Sequence, residues 1–193
     1  MKKLLFGSLL IILALNQYGQ VAKVSIAPTW SNSFYYRFVA GGYSTDPKIG
    51  VDASLEYIKS QDARFTIGFG IDYQHSNLEI IPAPTGEPIV THQESINVLS
   101  AGFKTIYNLK KSIFFTVNPL IDLQLPSKSQ STVDNQTGLG LSLSGGKRIE
   151  VTDRMSLSVE PIIWIHNIIP FTEQIFPERL TVVGIKAGLS LGK

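Results

Sequence analysis

The chain has 193 residues, with 17 Lys and Arg against 15 Asp and Glu, and no cysteine. That length suits one domain. The missing thiol excludes disulfide stapling, thiol chemistry and lipid attachment at a cysteine. The near balance of charge gives no basis for nucleic-acid binding.

Lys2 and Lys3 precede an apolar run from Leu4 to Leu15, and Asn16, Gln17, Tyr18 and Gly19 follow as a polar exit. This is the pattern of a secretion signal, too short for a membrane-spanning helix. Residues 1–19 are therefore expected to be a signal peptide, cleaved before Gln20 or after Ala22, with residues 20–193 forming the mature domain. Without Lys2 and Lys3, 15 basic residues face 15 acidic ones. No later apolar run is long enough for a helical span, so any membrane argument rests on strands.

The first strand is expected over Val24–Trp30, with Phe34–Ala40 as a candidate continuation. A loop from Gly41 to Pro47 follows. The second strand, about 48–58, sets Ile49, Val51, Ala53, Leu55 and Tyr57 on one face and Gly50, Asp52, Ser54 and Glu56 on the other. The third, about 63–75, repeats the device with Phe65, Ile67, Phe69, Ile71 and Tyr73 against Thr66, Gly68, Gly70, Asp72 and Gln74. A period of two means one apolar and one polar face.

A proline-bearing loop is expected over 76–93. The fourth strand, about 94–108, aligns Leu99, Ala101, Phe103, Thr105 and Tyr107 opposite Ser100, Gly102 and Lys104. The fifth, about 112–125, carries Pro119 on its apolar face, which predicts a bulge because proline removes a ladder donor. After a loop from Ser127 to Gln136, the sixth strand alternates Leu139, Leu141 and Leu143 with glycines and serines. A turn over Ile149–Asp153 leads to the seventh strand, which runs from Met155 to Ile165 with a second outward proline, Pro161. Asn167–Glu178 is the last long loop, and the eighth strand covers 181–191.

Connections alternate short and long, as they do in membrane barrels. An open sheet edge leaves backbone groups unpaired in hydrocarbon, so the eighth strand must pair with the first. The predicted fold is all-β: an eight-stranded antiparallel up-and-down transmembrane β-barrel, apolar face to lipid. Eight strands enclose a lumen that side chains can fill. Inward glycines at 68, 70, 102, 138, 140, 184 and 188 leave room there. Asp52, Glu56, Asp72, Asp122 and Glu160 can form a lumen polar network with Lys104, Arg148 and Lys186. Tyr57, Tyr73 and Tyr107 fit interfacial girdles at the ends of the apolar band.

The secretion signal, the eight alternating strands and the final stretch Thr181-Val182-Val183-Gly184-Ile185-Lys186-Ala187-Gly188-Leu189-Ser190-Leu191-Gly192-Lys193 resemble the outer-membrane β-barrel domain of Bacteroidetes. The resemblance covers the mature chain and implies the architecture of small OmpA-type and OmpX-type barrels. It implies a monomer in outer-membrane lipid, with both termini in the periplasm. It also implies delivery by periplasmic chaperones and insertion by the outer-membrane assembly machinery. It carries no catalytic residues, cofactor or metal, and a cell-wall-binding domain like that of full-length OmpA is not expected.

The function expected is non-enzymatic: structural, surface-interacting or adhesion-like. Two alternatives stand beside it. A lipid-modifying enzyme would need a nucleophile and base at the rim, where His75, His92 and His166 are expected near Ser76, Ser95 and Glu94. A secreted soluble barrel binding a small apolar ligand would reverse the two faces. Trp30, Trp164 and Phe114, whose facing the pattern leaves open, could support that reading.

Overall fold

A computed structural model describes residues 20–35, 42–59, 64–83, 90–110, 112–126, 131–173 and 178–192. The expected signal peptide and residues 36–40 of the candidate first-strand continuation lie outside these. The strands are β1 (Val21–Tyr35), β2 (Ser44–Pro47), β3 (Ile49–Ile58), β4 (Phe65–Ile81), β5 (His92–Lys110), β6 (Ile113–Gln124), β7 (Gly138–Thr152), β8 (Met155–Pro170) and β9 (Glu178–Gly192). Every pairing is antiparallel. β1 pairs β9 from Val21↔Gly192 to Tyr35↔Glu178, closing an eight-stranded ring of β1 and β3–β9.

The ninth strand is a short addition. β2 pairs only with the far end of β4, from Ser44↔Ile81 to Pro47↔Leu78. β3 resumes on the same neighbour at Val51↔His75. Four residue steps from Pro47 to Val51 face three from Leu78 to His75, so β2 and β3 are one edge interrupted by a single-residue bulge around Lys48. Its amide donates to Asn77 O at 3.1 Å. A bulge of this kind reverses which parity points inward.

The bulge expected at Pro119 is absent. Gly102↔Leu120 and Thr105↔Val117 keep one register across it, and Pro119↔Leu141 holds on the other side. Pro161↔Ile185 is likewise in register. In an antiparallel ladder a residue turns its N–H toward one neighbour only, so a missing donor costs one bond and needs no extra residue. Register shifts fall instead at Asn108/Lys110, Leu139/Leu141 and Glu150/Thr152. The middle one accompanies Asn167, whose φ is 53°. Asparagine tolerates that left-handed conformation better than most residues.

The interior is polar and the exterior apolar. Among the described residues 29 polar or charged side chains are buried against 16 apolar ones. Phe65, Ile67, Ile71, Phe103 and Ile185 stand on the outer wall, and Asp72, Asp122 and Lys186 lie inside. A soluble ligand-binding barrel needs the reverse. Trp30 faces outward at 41% exposure, and Trp164 and Phe114 face inward.

Several strands run further than the alternation predicts. β4 reaches Ile81 and β5 starts at His92, so part of the expected 76–93 loop is strand. β8 continues to Pro170 and β9 begins at Glu178. The polarity of β4 and β5 inverts in this extension. Beyond Tyr73 and Leu99 the outward residues are His75, Asn77, Glu79, Asn97, Ser95 and Gln93, while Leu78, Ile80, Ile96 and Val98 turn inward. The apolar outer wall of β4 thus runs from Phe65 to Tyr73. That is about 26 Å along the strand, or roughly 20 Å along the axis at a tilt of about 40°. Above it the extension has the inside-apolar pattern of a barrel in water. No described helix is long and apolar enough to cross a membrane, which says nothing of strands.

Candidate functional site: a charged lumen beneath a strapped mouth

Inward glycines create the space that the charged side chains occupy. A Cβ on Gly70 would lie 2.7 Å from Lys104 Cε, and one on Gly188 would meet Lys23 Cε and Ser158 Oγ. A Cβ on Gly140 would press into Asp122 Oδ2, and one on Gly146 into Glu160. The glycines and the long charged residues are one packing solution.

Lysines from three strands meet carboxylates from three others. Lys23 (β1) pairs closely with Glu160 and lies 3.7 Å from Glu56. Lys104 (β5) meets Glu56 at 2.8 Å and Asp72 at 3.7 Å. Lys186 (β9) lies 3.0 Å from Asp72, 3.4 Å from Asp52 and 3.7 Å from Glu56. The ladder is therefore continuous from Glu160 to Asp52. Every side chain in it is at most 6% exposed. Charges so deeply buried persist only when paired. Aromatic faces add to the pairing: Lys186 sits 4.9 Å from the Trp164 ring centroid, and Arg148 sits 5.2 Å from that of Phe114.

A second chain crosses the lumen nearer the loops. Ser100 Oγ donates to Asp122 Oδ1 at 2.6 Å, and Asp122 Oδ2 lies 3.0 Å from His166 Nδ1. His166 Nε2 faces Gln74 Oε1 at 3.0 Å. Gln74 Nε2 donates to Ser76 Oγ at 2.7 Å, and Ser31 Oγ donates to the same oxygen at 2.7 Å. Five strands are joined in this way.

Apolar layers bound the polar interior. Val21, Ile58, Ile106 and Phe114 form one at the turn end. Leu78, Ile80, Ile96, Val98, Trp164 and Leu180 belong to a larger one at the loop end. Between them, beside Lys23, Glu56, Lys104 and Arg148, remains a void for about one water molecule.

The loop-end mouth is crossed by residues 131–137. Val133 is buried in the apolar layer. Glu94 holds one side of this strap, accepting from Ser131 Oγ at 2.9 Å and from the Thr132 amide at 2.9 and 3.0 Å, with His92 Nε2 at 3.0 Å. On the other side Gln136 is fully buried. Its Oε1 accepts from the Leu180 amide at 2.8 Å and its Nε2 donates to Glu178 O at 3.1 Å. Tyr43 Oη donates to Glu178 and, at 3.2 Å, to Thr132 O. Both carboxylates lie beyond the apolar band. Burial opposes the charge of Glu94, but its hydrogen bonds from Thr132, His92 and Ser131 outweigh that and hold its carboxyl below the usual range. At Glu178 burial wins and the carboxyl is raised, despite hydrogen bonds from Ser33 and Tyr43.

The eight lumen residues named from the sequence, Asp52, Glu56, Asp72, Lys104, Asp122, Arg148, Glu160 and Lys186, are all buried on the inner face. Lys23 and His166 were not among them. Lys23 precedes the expected start of the first strand, although alternation continued back to Val21 would have placed it inward. His166 was expected at the rim, but the extended β8 carries it inside at 1% exposure. Tyr57 and Tyr107 lie on the outer wall near the turn end. Tyr73 marks the other border of the apolar wall of β4, its hydroxyl donating to Asn97 Oδ1 at 2.9 Å.

Of the expected rim residues His92 and Glu94 meet, His92 Nε2 lying 3.0 Å from Glu94 Oε1 and 3.4 Å from the Thr132 hydroxyl, but neither Ser76 nor Ser95 joins them. His75 Nδ1 faces Asn97, Ser76 points into the lumen, and Ser95 donates to Asn77. Ser100 donates to Asp122 and not to His166, so the base does not touch the hydroxyl that it would activate. Among the described residues no group of three or more His, Asp or Glu is placed to hold a metal.

No family model matches the chain, and no curated protein does. Several solved structures share its architecture. The fold is that of a small outer-membrane β-barrel. Neisserial surface protein A (NspA) superposes with a TM-score of 0.55 at 12% identity, over 91% of this chain and 97% of that one. The outer membrane protein OprG from Pseudomonas aeruginosa gives 0.55 at 11%, over 92% and 98%. At such identities the likeness concerns the fold.

Proposed function

We propose that this protein is a non-enzymatic barrel of the bacterial outer membrane with a structural, surface-interacting or adhesion-like role at its loop end. The observation that carries this reading is the inside-out distribution: an apolar outer wall around a paired, closed lumen. The barrel is a monomer of the Bacteroidetes-type architecture, with its termini and short turns in the periplasm. Chaperones carry it across the periplasm and the assembly machinery inserts it. The strands that continue past the apolar wall form a rigid platform for the long loops, where recognition on a stable scaffold is usually sited.

Cell fractionation combined with gel mobility before and after boiling tests the location. Recovery in the outer membrane, with a folded form that migrates differently when unboiled, is expected. Recovery as a soluble periplasmic protein contradicts the proposal. Among the described residues the strap and the charge ladder fill the lumen, so reconstitution in a planar bilayer should give no steady conductance. A stable open pore would exclude the closed-lumen reading.

A further inference from the structure

Among the described residues the two ends of the barrel carry opposite charge on their outer surfaces. At the turn end Lys59, Arg64, Lys147 and Arg154 are exposed, against Glu150 and Asp153. At the loop end Asp46, Glu79, Asp134 and Glu173 are outside or half-buried, against Lys48 and Arg179. The basic excess therefore lies where the apolar wall meets the turns.

One of these cations is held in place. Arg64 Nη2 and Nε donate to Tyr107 Oη at 2.6 and 3.1 Å, and its guanidinium carbon lies 5.4 Å from the Tyr107 ring centroid. The Tyr107 ring packs on Phe65 at 4.6 Å. The backbone is fixed as well, with the Asn108 amide donating to Arg64 O at 2.9 Å. An arginine has five N–H donors. Two are spent on Tyr107, and the side chain is otherwise exposed at the end of the apolar wall, with donors left for a ligand. Lys59 is anchored beside it by its amide bond to Ile67 O at 3.1 Å. Lys147 stands on the outer wall in register with Ile113 and Val159. From there its stem can lie along hydrocarbon while its ammonium reaches the interface.

We infer that this rim binds the phosphate of anionic phospholipids, with Arg64 and Lys59 as its centre. The inference rests on the membrane-spanning reading. A guanidinium offers phosphate a planar fork of donors, and basic clusters at a membrane surface attract anionic lipid. Tyr107 is a positioning residue that holds Arg64 over the aromatic border.

The test uses the full barrel refolded into vesicles of nine parts phosphatidylcholine to one part phosphatidylglycerol. The lipid retained after detergent extraction and purification is quantified. Wild type should be enriched in phosphatidylglycerol several-fold over the bulk mixture. Lys59→Gln combined with Arg64→Gln should lower that enrichment by at least half. Tyr107→Phe should lower it partly, and loop-end Arg179→Gln should leave it unchanged. Absence of enrichment, or an equal loss in Arg179→Gln, overturns the inference. So does loss of the lipid to inorganic phosphate but not to chloride of equal ionic strength, which would mark a free-anion site. Heat-modifiable mobility is checked for every sample. A wild-type barrel that does not insert at all overturns the membrane reading itself, a failure distinct from insertion without enrichment.

Discussion

Lys186 Nζ lies 3.0 Å from Asp72 Oδ1, although β1 and β3 separate their strands in the wall. The contact therefore spans the lumen, and it ties the closing strand β9 to the opposite side of the ring. Removing one partner of a buried pair leaves the other charged and unpaired.

Lys186→Met should accordingly destabilise the barrel by about 3–5 kcal/mol, read as a lower urea midpoint for unfolding in vesicles. Asp72 and Asp52 lose their nearest cation in that variant. Adding Asp72→Asn should restore part of the loss, so the double variant is more stable than the two single effects would sum to. Simple additivity would mean that the contact carries no coupling.

Gly140 and Gly145 make a matched comparison on β7. A Cβ at Gly140 would collide with Asp122 Oδ2 and crowd Ile165 O at 3.1 Å, whereas at Gly145 the nearest atoms are 3.7 Å away. Gly140→Ala should cost about 1–3 kcal/mol, as overpacking typically does, by driving Asp122 off Ser100 and His166. Gly145→Ala should leave the urea midpoint nearly unchanged. Equal effects would show that lumen space is not what the glycine at 140 supplies.

The strap over the mouth should respond to acid through Glu94. Its folded carboxyl titrates below the usual carboxylate range. The hold is therefore fully present above about pH 4.5 and is lost as pH falls through the folded value. The Thr132 amide, followed by NMR in nanodiscs, should move toward its unbound position on acidification, and Glu94→Gln should shift it the same way at neutral pH. Glu178 works in the opposite sense, because its raised carboxyl favours the protonated form and contributes less as pH rises through the folded value. Glu178→Gln should thus leave the acid response of Thr132 in place. A Thr132 resonance unchanged down to pH 3 would remove Glu94 from this role.

Much of the fold was legible because period two is enforced wherever one face meets a uniform environment. Ile67, Phe69 and Ile71 against Gly68, Gly70 and Asp72 mark a strand with one apolar and one polar face, and the choice left open was which of the two turns inward. The same logic explains where reading stopped. Beyond Tyr73 the alternation continues with reversed sense, so Leu78 and Ile80 between Asn77 and Glu79 resembled a loop more than a strand. β2 has only four residues, and its bulge at Lys48 changes parity. The lumen residues were visible one at a time, but their partners depend on ring closure: Lys23 and Glu160 are 137 positions apart. His166 was hidden by the two-residue irregularity that lets β8 continue past it. Nothing local in the sequence signals that Gly140 exists to house Asp122.

The two tryptophans allow the arrangement of faces to be tested directly, since Trp30 is 41% exposed on the outer wall and Trp164 is 1% exposed in the lumen. Each can be isolated, by Trp164→Phe and by Trp30→Phe, in vesicles whose acyl chains carry bromine. Fluorescence of Trp30 should be strongly quenched by the brominated chains, and fluorescence of Trp164 should be nearly untouched. Strong quenching of Trp164, with Trp30 reached instead by aqueous iodide, would contradict an apolar wall turned to lipid.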